Sequence, residues 1–380
     1  MTTHVFIVDE NTFKYHLEYM FAGTGSKKNI IDFNNTKTSK LHYSTEASLV
    51  GLMADGCRVR KGDLIIFYLL ASSQHEGTFF GIFQAIDDGI FLDNYNTHQF
   101  LLNKLNKSLT FRLLIKPYEV YPEGVSEWCA LDEIKGLTSP NQMLWSLIYR
   151  KLKGNRGNTM ITIYESERLI DLIRKKNNFK SFSSKTVDFS YNSDSNTIIS
   201  IANHNQYTGR QVQINILPRL IEKYNTYKAF EAHLQMYITQ NLGLGTNKSL
   251  DGCLGINNKK IEWLGNEVSC GVGMQRIDVM FSIEESNNKR FLYPIELKAV
   301  GAHGENTRQL TRYVDWIEQY YIPNRISIIQ PVLICKKEYP LSDELKKSFK
   351  TFNKHAGILP LKYIEYEIIN NNIVFKDMEY

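Results

Sequence analysis

Hydrophobic and polar positions change period once along the chain, and the change divides it. The first half carries short apolar runs between polar clusters: His4–Val8, Val59–Leu70, Gly77–Ala85 and Leu109–Pro117. Runs of this kind bounded by turn residues predict strands, and several at such spacing with few long helices predict a small β-barrel. Short helices are expected over Thr12–Met20, capped by Asn11 or Thr12, and over Glu46–Met53. A further helix over Glu165–Lys176, with Leu169, Ile170, Leu172 and Ile173 as its apolar face, closes this half. The stretch Asn177–Gln211 is dense in Ser, Asn, Thr and Lys and reads as a connection, with Thr197–Ile201 able to form a strand inside it. The expected division is residues 1–178, a linker over 179–213, and a second domain over 214–380.

From Ile214 onward the period becomes helical. Tyr227–Asn241 has Phe230, Leu234 and Ile238 on one stripe, with Glu231 bordering it. Gln275–Phe281 and Phe291–Ala299 are apolar runs joined by the polar link Ser282–Arg290, a strand, a turn and a strand. A helix over Glu305–Tyr320, a strand over Ile326–Cys335 and a helix over Ser342–Asn353 follow. That order predicts a mixed α/β sandwich.

The hairpin carries the most informative chemistry. Side chains alternate along a strand, so Tyr293, Ile295, Leu297 and Ala299 share one face while Glu296 and Lys298 project together from the other. If the two strands pair, Asp278 approaches Glu296, and two adjacent carboxylates ionise together far more readily beside a divalent cation. Taken alone, these three residues read equally well as a surface hairpin with an ordinary Glu/Lys pair. On the following helix Gln309 and Tyr313 are four apart and share a face. Gly243–Ser249 suggests a phosphate loop, but Asn247 stands where a glycine must precede Lys-Ser, which excludes a nucleotide triphosphatase of that type. His204 lies between asparagines with no second ligand beside it.

Composition adds limits. A net charge of +5 and a pI near 8.7 permit an anionic partner without requiring one. Five cysteines without a CxxC pair point to reduced thiols rather than a zinc site or a disulfide framework, as expected of a cytoplasmic protein. No signal-peptide pattern and no apolar run of spanning length is found, so no membrane partner is expected. Arg150, Lys151, Lys153 and Arg156 fall within seven residues with Gly154 and Gly157 among them, a candidate phosphate clamp or else a solvated basic loop. Tyr68, Trp128 and Trp145 are candidates to stack on a flipped base, core packing being the alternative for each.

Two resemblances organise these observations. The turn Lys61-Gly62-Asp63 before a strand ending Phe67-Tyr68, the glycine-containing strand after it, and the segment Trp145–Gly157 resemble the PUA-like barrels, which include the EVE, ASCH and YTH domains. The likeness covers residues 1 to about 178 and implies nucleic-acid recognition; several such domains take a modified base into an aromatic pocket. Glu231, Asp278, Glu296-Leu297-Lys298 and Gln309-xxx-Tyr313 resemble the PD-(D/E)XK nuclease superfamily over roughly residues 215–340. The Gln-Leu-x-Arg-Tyr helix following Glu-Leu-Lys is similar to the NucS-like and RecB-like branches. The family's Pro-Asp is Ile-Asp here, which leaves the carboxylate intact.

Together the resemblances imply an α+β protein with an N-terminal PUA-like β-barrel flanked by helices and a C-terminal α/β restriction-endonuclease-like domain around a central mixed sheet. They imply that Asp278, Glu296 and the Leu297 carbonyl hold Mg²⁺, with Mn²⁺ as a substitute, and that Lys298 orients or deprotonates water. Glu231 would complete the metal shell, Gln309 and Tyr313 would position substrate, and Arg276, Arg312 and Tyr313 would meet DNA. The implied function is a restriction-type endonuclease on double-stranded DNA, acting as a homodimer, with the barrel choosing the site. A NucS-like repair nuclease and a nucleic-acid-binding protein without cleavage are the alternatives.

Overall fold

The first strand, β1 (Thr3–Val8), is followed by α1 (Glu10–Glu18), and the joint between them shows how locally this chain specifies its elements. Asp9, not Asn11 or Thr12, caps α1: its carboxylate accepts from the Thr12 amide, and the Thr12 hydroxyl reaches back to the Asp9 amide. The computed structural model describes all residues except 26–42, 94–98, 133–134, 153–156, 204, 227–229, 272–274, 285–288 and 324–326, and the backbone alone at 43–45 and 149–152. The chain is mixed α+β and forms two units. One comprises Met1–Asp32 and Asp55–Ile214, the other Phe33–Ala54 and Asn215–Tyr380, so the division falls inside α2 (Tyr43–Cys57).

In the first unit, β2 (Phe21–Thr24), β3 (Leu64–Leu69), β4 (Thr78–Ala85), β5 (Phe91–Leu92) and, after α3 (Leu102–Leu105), β6 (Phe111–Pro117) build a curled sheet. All six residues of β3 are buried. It runs parallel to β1 and antiparallel to β4, and a strand covered on both faces reads as an unbroken apolar run rather than an alternation. β6 is shared: Ile115–Pro117 pair with β4, while its first residues pair with β5 and, along Phe111–Leu114, with β2. β2 in turn comes back against β1, which curls the sheet on itself.

β7 (Val125–Ser126), α4 (Glu127–Asp132), α5 (Trp145–Leu152), β8 (Asn158–Ile161) and α6 (Ile163–Lys176) follow. β8 pairs antiparallel with β1. α6 starts at a capping box, Thr162 with Glu165, and its Leu169, Ile170 and Ile173 enter the core against Val5, Ile66 and Ile82. The stretch expected as a linker is structured and belongs to this unit: β9 (Phe189–Asn192) and β10 (Thr197–Ser200) form a hairpin, and β11 (Val212–Gln213) pairs with β5. Its polar composition concealed Phe189 and Tyr191, which are buried, as is Ile198 in the strand that the sequence did allow.

The second unit contains α7 (Leu217–Asn225), α8 (Glu231–Asn241), α9 (Lys248–Leu254), β12 (Ile261–Ser269), β13 (Arg276–Glu284), β14 (Arg290–Lys298) and α10 (Gly304–Trp316). A π-turn over Ile317–Tyr321 shortens the helix expected to reach Tyr320. Then come β15 (Ser327–Ile329), β16 (Val332–Lys336), α11 (Asp343–Phe352), β17 (Lys362–Ile369) and β18 (Asn372–Asp377). The sheet order is β12-β13-β14-β16-β17-β18, with β15 also on β14. β12, β13 and β14 form an antiparallel meander, whereas β14, β16 and β17 are parallel and are joined through α10 and α11, as parallel neighbours require.

Pro294 sits within the central strand β14, where a missing amide would ordinarily break a ladder. It falls between the stretch paired with β15, Arg290–Leu292, and the stretch paired with β16, Ile295–Lys298. The proline thus occupies the gap between two partners on that edge. Among the described residues no helix is long and apolar enough to cross a membrane.

Candidate active site

The meander of the second unit sets the geometry. The β13–β14 ladder ends on the pair Val279 with Ile295, and Asp278 and Glu296 are the next residues on the two strands just past it. The Leu297 amide donates to Asp278 Oδ2 at 2.8 Å, which locks the carboxylate across the strand pair. Oδ1 of Asp278 has no hydrogen-bond partner among the described residues. Ile277, Val279, Ile295 and Leu297 are fully buried around these groups and hold both strands in register.

Glu296 is 1% exposed, so the alternative of a surface Glu/Lys pair gives way to an interior one. Lys298 Nζ lies 2.5 Å from Glu296 Oε1, and the Tyr313 hydroxyl, from α10, is 2.6 Å from Oε2. The same hydroxyl is 2.8 Å from the Arg276 carbonyl, so α10 is tied to both strands of the pair. Lys298 Nζ is also 3.7 Å from Glu231 Oε2, which enters from the first turn of α8. One turn further along α8, Gln235 donates to the Asp278 carbonyl at 2.8 Å. Two helices and two strands thus converge on three carboxylates and one ammonium group.

Electrostatics follow from that crowding. Burial pushes the Asp278 carboxyl well above the usual range, and the nearby Glu296 and Glu231 charges push it further. Glu231 is raised as well, chiefly by burial, with Lys298 opposing. Burial alone would lower Lys298, but the Glu296 carboxylate overrides it and holds the ammonium form more firmly. Burial lifts the Cys270 thiol to about 12. Tyr313 is likewise raised, by burial and then by Glu296, and remains a hydrogen-bond donor at any ordinary pH. A site that gathers three carboxylates, Glu296 buried and Asp278 and Glu231 partly so, is one that a cation would relieve.

Among the described residues no group of three or more His, Cys, Asp and Glu side chains is arranged to hold a metal ion. A cation here would rest on Asp278 and Glu296 with the Leu297 carbonyl, a set of hard oxygen donors that suits Mg²⁺ and not a soft metal. Oδ1 of Asp278, without a hydrogen-bond partner among the described residues, fits that role.

Other residues singled out from the sequence lie elsewhere or are engaged. Arg276 is ion-paired with Glu267 on β12. Gln309 is half-buried on the same face of α10 as Tyr313 and makes no hydrogen bond among the described residues; Arg312 is exposed. Tyr68 is 3% exposed, part of the first unit's core, with its hydroxyl donated to Glu127. Trp128 is 68% exposed and Trp145 38% exposed. The side chains of Arg150 and Lys151, and Lys153, Arg156 and His204 entirely, lie outside the described residues.

The glycine-rich segment after α8 shows why it is no phosphate loop. The amides of Gly243 and Gly245 donate to the two oxygens of Asp251, at 2.9 and 3.0 Å. Both glycines have positive φ, the conformation that turns successive amides inward. The chain's own carboxylate occupies the place an anion would take.

Sequence reasoning missed Gln235 and a second cluster in the same unit. Glu46, on α2, accepts from Arg219 through both oxygens at 2.8 and 2.9 Å, lies 2.8 Å from His233 Nε2 and 3.4 Å from Lys223 Nζ. Burial alone would raise Glu46, but the Arg219 and His233 bonds hold it far below the usual carboxylate range. The only signal available was spacing: Arg219 with Lys223 and Glu231 with Gln235 are each four apart on one helix face.

No family model and no curated protein matches this chain. Among solved structures, a hypothetical protein from Leishmania major aligns over 46% of this chain and 96% of its own, at 8% identity and a TM-score of 0.28, too low to bear on fold or function.

Proposed function

We propose that the protein is a Mg²⁺-dependent endonuclease of restriction type that hydrolyses phosphodiester bonds in double-stranded DNA. The reading is carried by one observation: just past the last pair of the β13–β14 ladder, Asp278 is bound to the Leu297 amide and the neighbouring Glu296 lies 2.5 Å from Lys298. The order α8, β12–β14, α10, β16 around a mixed sheet supports it, as does the entry of Glu231 and Tyr313 from the two flanking helices.

The division of labour follows from the contacts. Asp278 Oδ1, Glu296 and the Leu297 carbonyl would hold the cation, which when bound neutralises charge on the scissile phosphate and favours ionisation of a water. Lys298, kept protonated by Glu296, orients the attacking water and stabilises charge that develops on the phosphoryl oxygens. Tyr313 fixes the rotamer of Glu296, and Gln235 fixes the main chain at Asp278. Glu231 steadies Lys298 from the far side. In this reading the first unit is a PUA-like barrel that selects the DNA, and two copies act together to cut both strands.

The test is incubation of the full chain with Mg²⁺ or Mn²⁺ and a panel of plasmids and duplexes that differ in base modification and mismatch content, with sequencing of the ends. Metal-dependent cleavage at a discrete set of sites is expected, and is expected to fall at least about 100-fold with Asp278→Asn. A chain that cuts none of the panel with either metal overturns the proposal.

A further inference from the structure

α10 has a second face. Gln309 and Tyr313 lie on the side directed at the carboxylates, whereas Thr307 and Thr311 line a groove of about 640 Å³ between α10 and α11. The Thr307 and Ser348 hydroxyls meet across it at 2.9 Å. Among the described lining residues the fixed charges are Arg308, Lys347 and Lys354 against Glu344, three positive to one negative. Lys347 and Lys354 are exposed and make no ion pair among the described residues. Arg308 is paired with Glu305, but both groups are more than 70% exposed, so that pair is readily exchanged for a stronger anion.

We infer that this groove seats the sugar–phosphate ridge of double-stranded DNA, an inference that rests on the nuclease reading. The occupant is argued from the lining. Threonine methyl groups and lysine stems suit the apolar edges of deoxyribose, while the exposed Lys347 and Lys354 offer charge to the phosphates of a duplex. Free phosphate would engage the heads and leave the walls unused; an acidic peptide would meet Glu344 without the regular spacing of charge that a duplex provides. Because α10 also carries Tyr313 to Glu296, a strand held in this groove is set at a fixed offset from the carboxylates.

The experiment measures binding of a fluorescent duplex by the full chain in EDTA and again with Ca²⁺, across a salt series, for wild type, for Lys347→Glu with Lys354→Glu, and for Lys260→Glu as an exposed control elsewhere on the same unit. The double variant is expected to bind about tenfold more weakly and to lose about 1.8 from the slope of log K against log salt, two phosphate contacts' worth. Thermal stability is expected to match wild type, since both side chains are exposed. Unchanged affinity and slope in the double variant, or an equal loss in Lys260→Glu, overturns the groove. If wild type binds through the groove yet cuts nothing, the nuclease reading fails and the groove stands; if it cuts DNA while the double variant binds as wild type does, the reverse holds.

Discussion

The Tyr313 hydroxyl is 2.6 Å from Glu296 Oε2 and 2.8 Å from the Arg276 carbonyl, and it has one proton to give. A charged acceptor takes that proton in preference to a neutral one, so Glu296 is the partner that matters. Tyr313→Phe keeps the ring in its buried place and removes only the donor. Turnover is expected to fall about tenfold and the metal requirement to shift to higher concentration, as measured by cleavage rate against Mg²⁺. An unchanged metal dependence would mean that the hydroxyl serves packing alone.

The carboxylates give a prediction that needs no activity assay. With no cation present, Asp278 is half-buried beside Glu296 and Glu231, and its charged form is penalised. Asp278→Asn is therefore expected to raise thermal stability in EDTA, by about 1 kcal/mol, while cleavage falls about 100- to 1,000-fold. Mg²⁺ or Mn²⁺ is expected to raise the Tm of wild type and leave that of the variant unmoved. A wild-type Tm indifferent to both metals counts against a cation at this place.

His16 gives the first unit a pH signature. It is buried, with Nδ1 2.8 Å from the Thr12 carbonyl and its ring stacked on Phe21, and burial pushes it down to about 4. The unfolded chain takes up a proton near the ordinary pKa of 6.5 while the folded chain does not. Stability is therefore intact above pH 6.5 and is lost as pH falls toward 4, by about 3 kcal/mol from this one group. Urea titrations of wild type and His16→Gln at pH 7 and pH 4.5 should show the smaller drop in the variant; equal drops would mean that His16 is not held neutral.

Asp251 satisfies two amides of a loop whose glycines both have positive φ. Asp251→Ala leaves those donors without their carboxylate and is expected to cost about 1–3 kcal/mol. Asp251→Asn, which keeps one acceptor oxygen, should recover part of it in a thermal melt. Equal losses for the two variants would show that packing around α9 and not the amides sets the cost.

The candidate site was legible where its residues obey a local period. Glu296 and Lys298 fall on one face because a strand alternates, and Gln309 with Tyr313 because a helix returns after four. Asp278 followed from those once the two runs were paired. What stayed hidden is what acts through the main chain or across long separations. Gln235 touches Asp278 at its carbonyl, a contact with no preference for side-chain type at the receiving end. Asp251 looks like any early-helix acid until the loop before it is seen to fold over it. In the first unit β9 carries Phe189 and Tyr191 singly among Ser, Asn and Asp, so only β10, with Ile198 and Ile199 adjacent, showed as a strand within a stretch whose composition pointed to a connection. Tyr68 illustrates the converse: an aromatic at the end of an apolar run fits a base pocket and a core equally well by pattern, and here it is core.

The Glu46 cluster bears on where this protein can be divided. Glu46 is separated by 173 positions from Arg219, whose guanidinium it binds through both oxygens, and it lies at the N-terminal end of α2 in a stretch that belongs with the second unit. A polypeptide begun at Asn215 would include every residue of the candidate site and still be short of an essential part. It would carry Arg219 and Lys223 into the interior without the Glu46 carboxylate that both meet, leaving Arg219 with Glu222, and breaking a buried pair in this way ordinarily costs about 3–5 kcal/mol, on the order of a small domain's whole stability. Proteolysis or gene truncation guided by the linear map would therefore release an insoluble or unfolded C-terminal piece. Supplying a separate peptide spanning α2 would be the means to restore it.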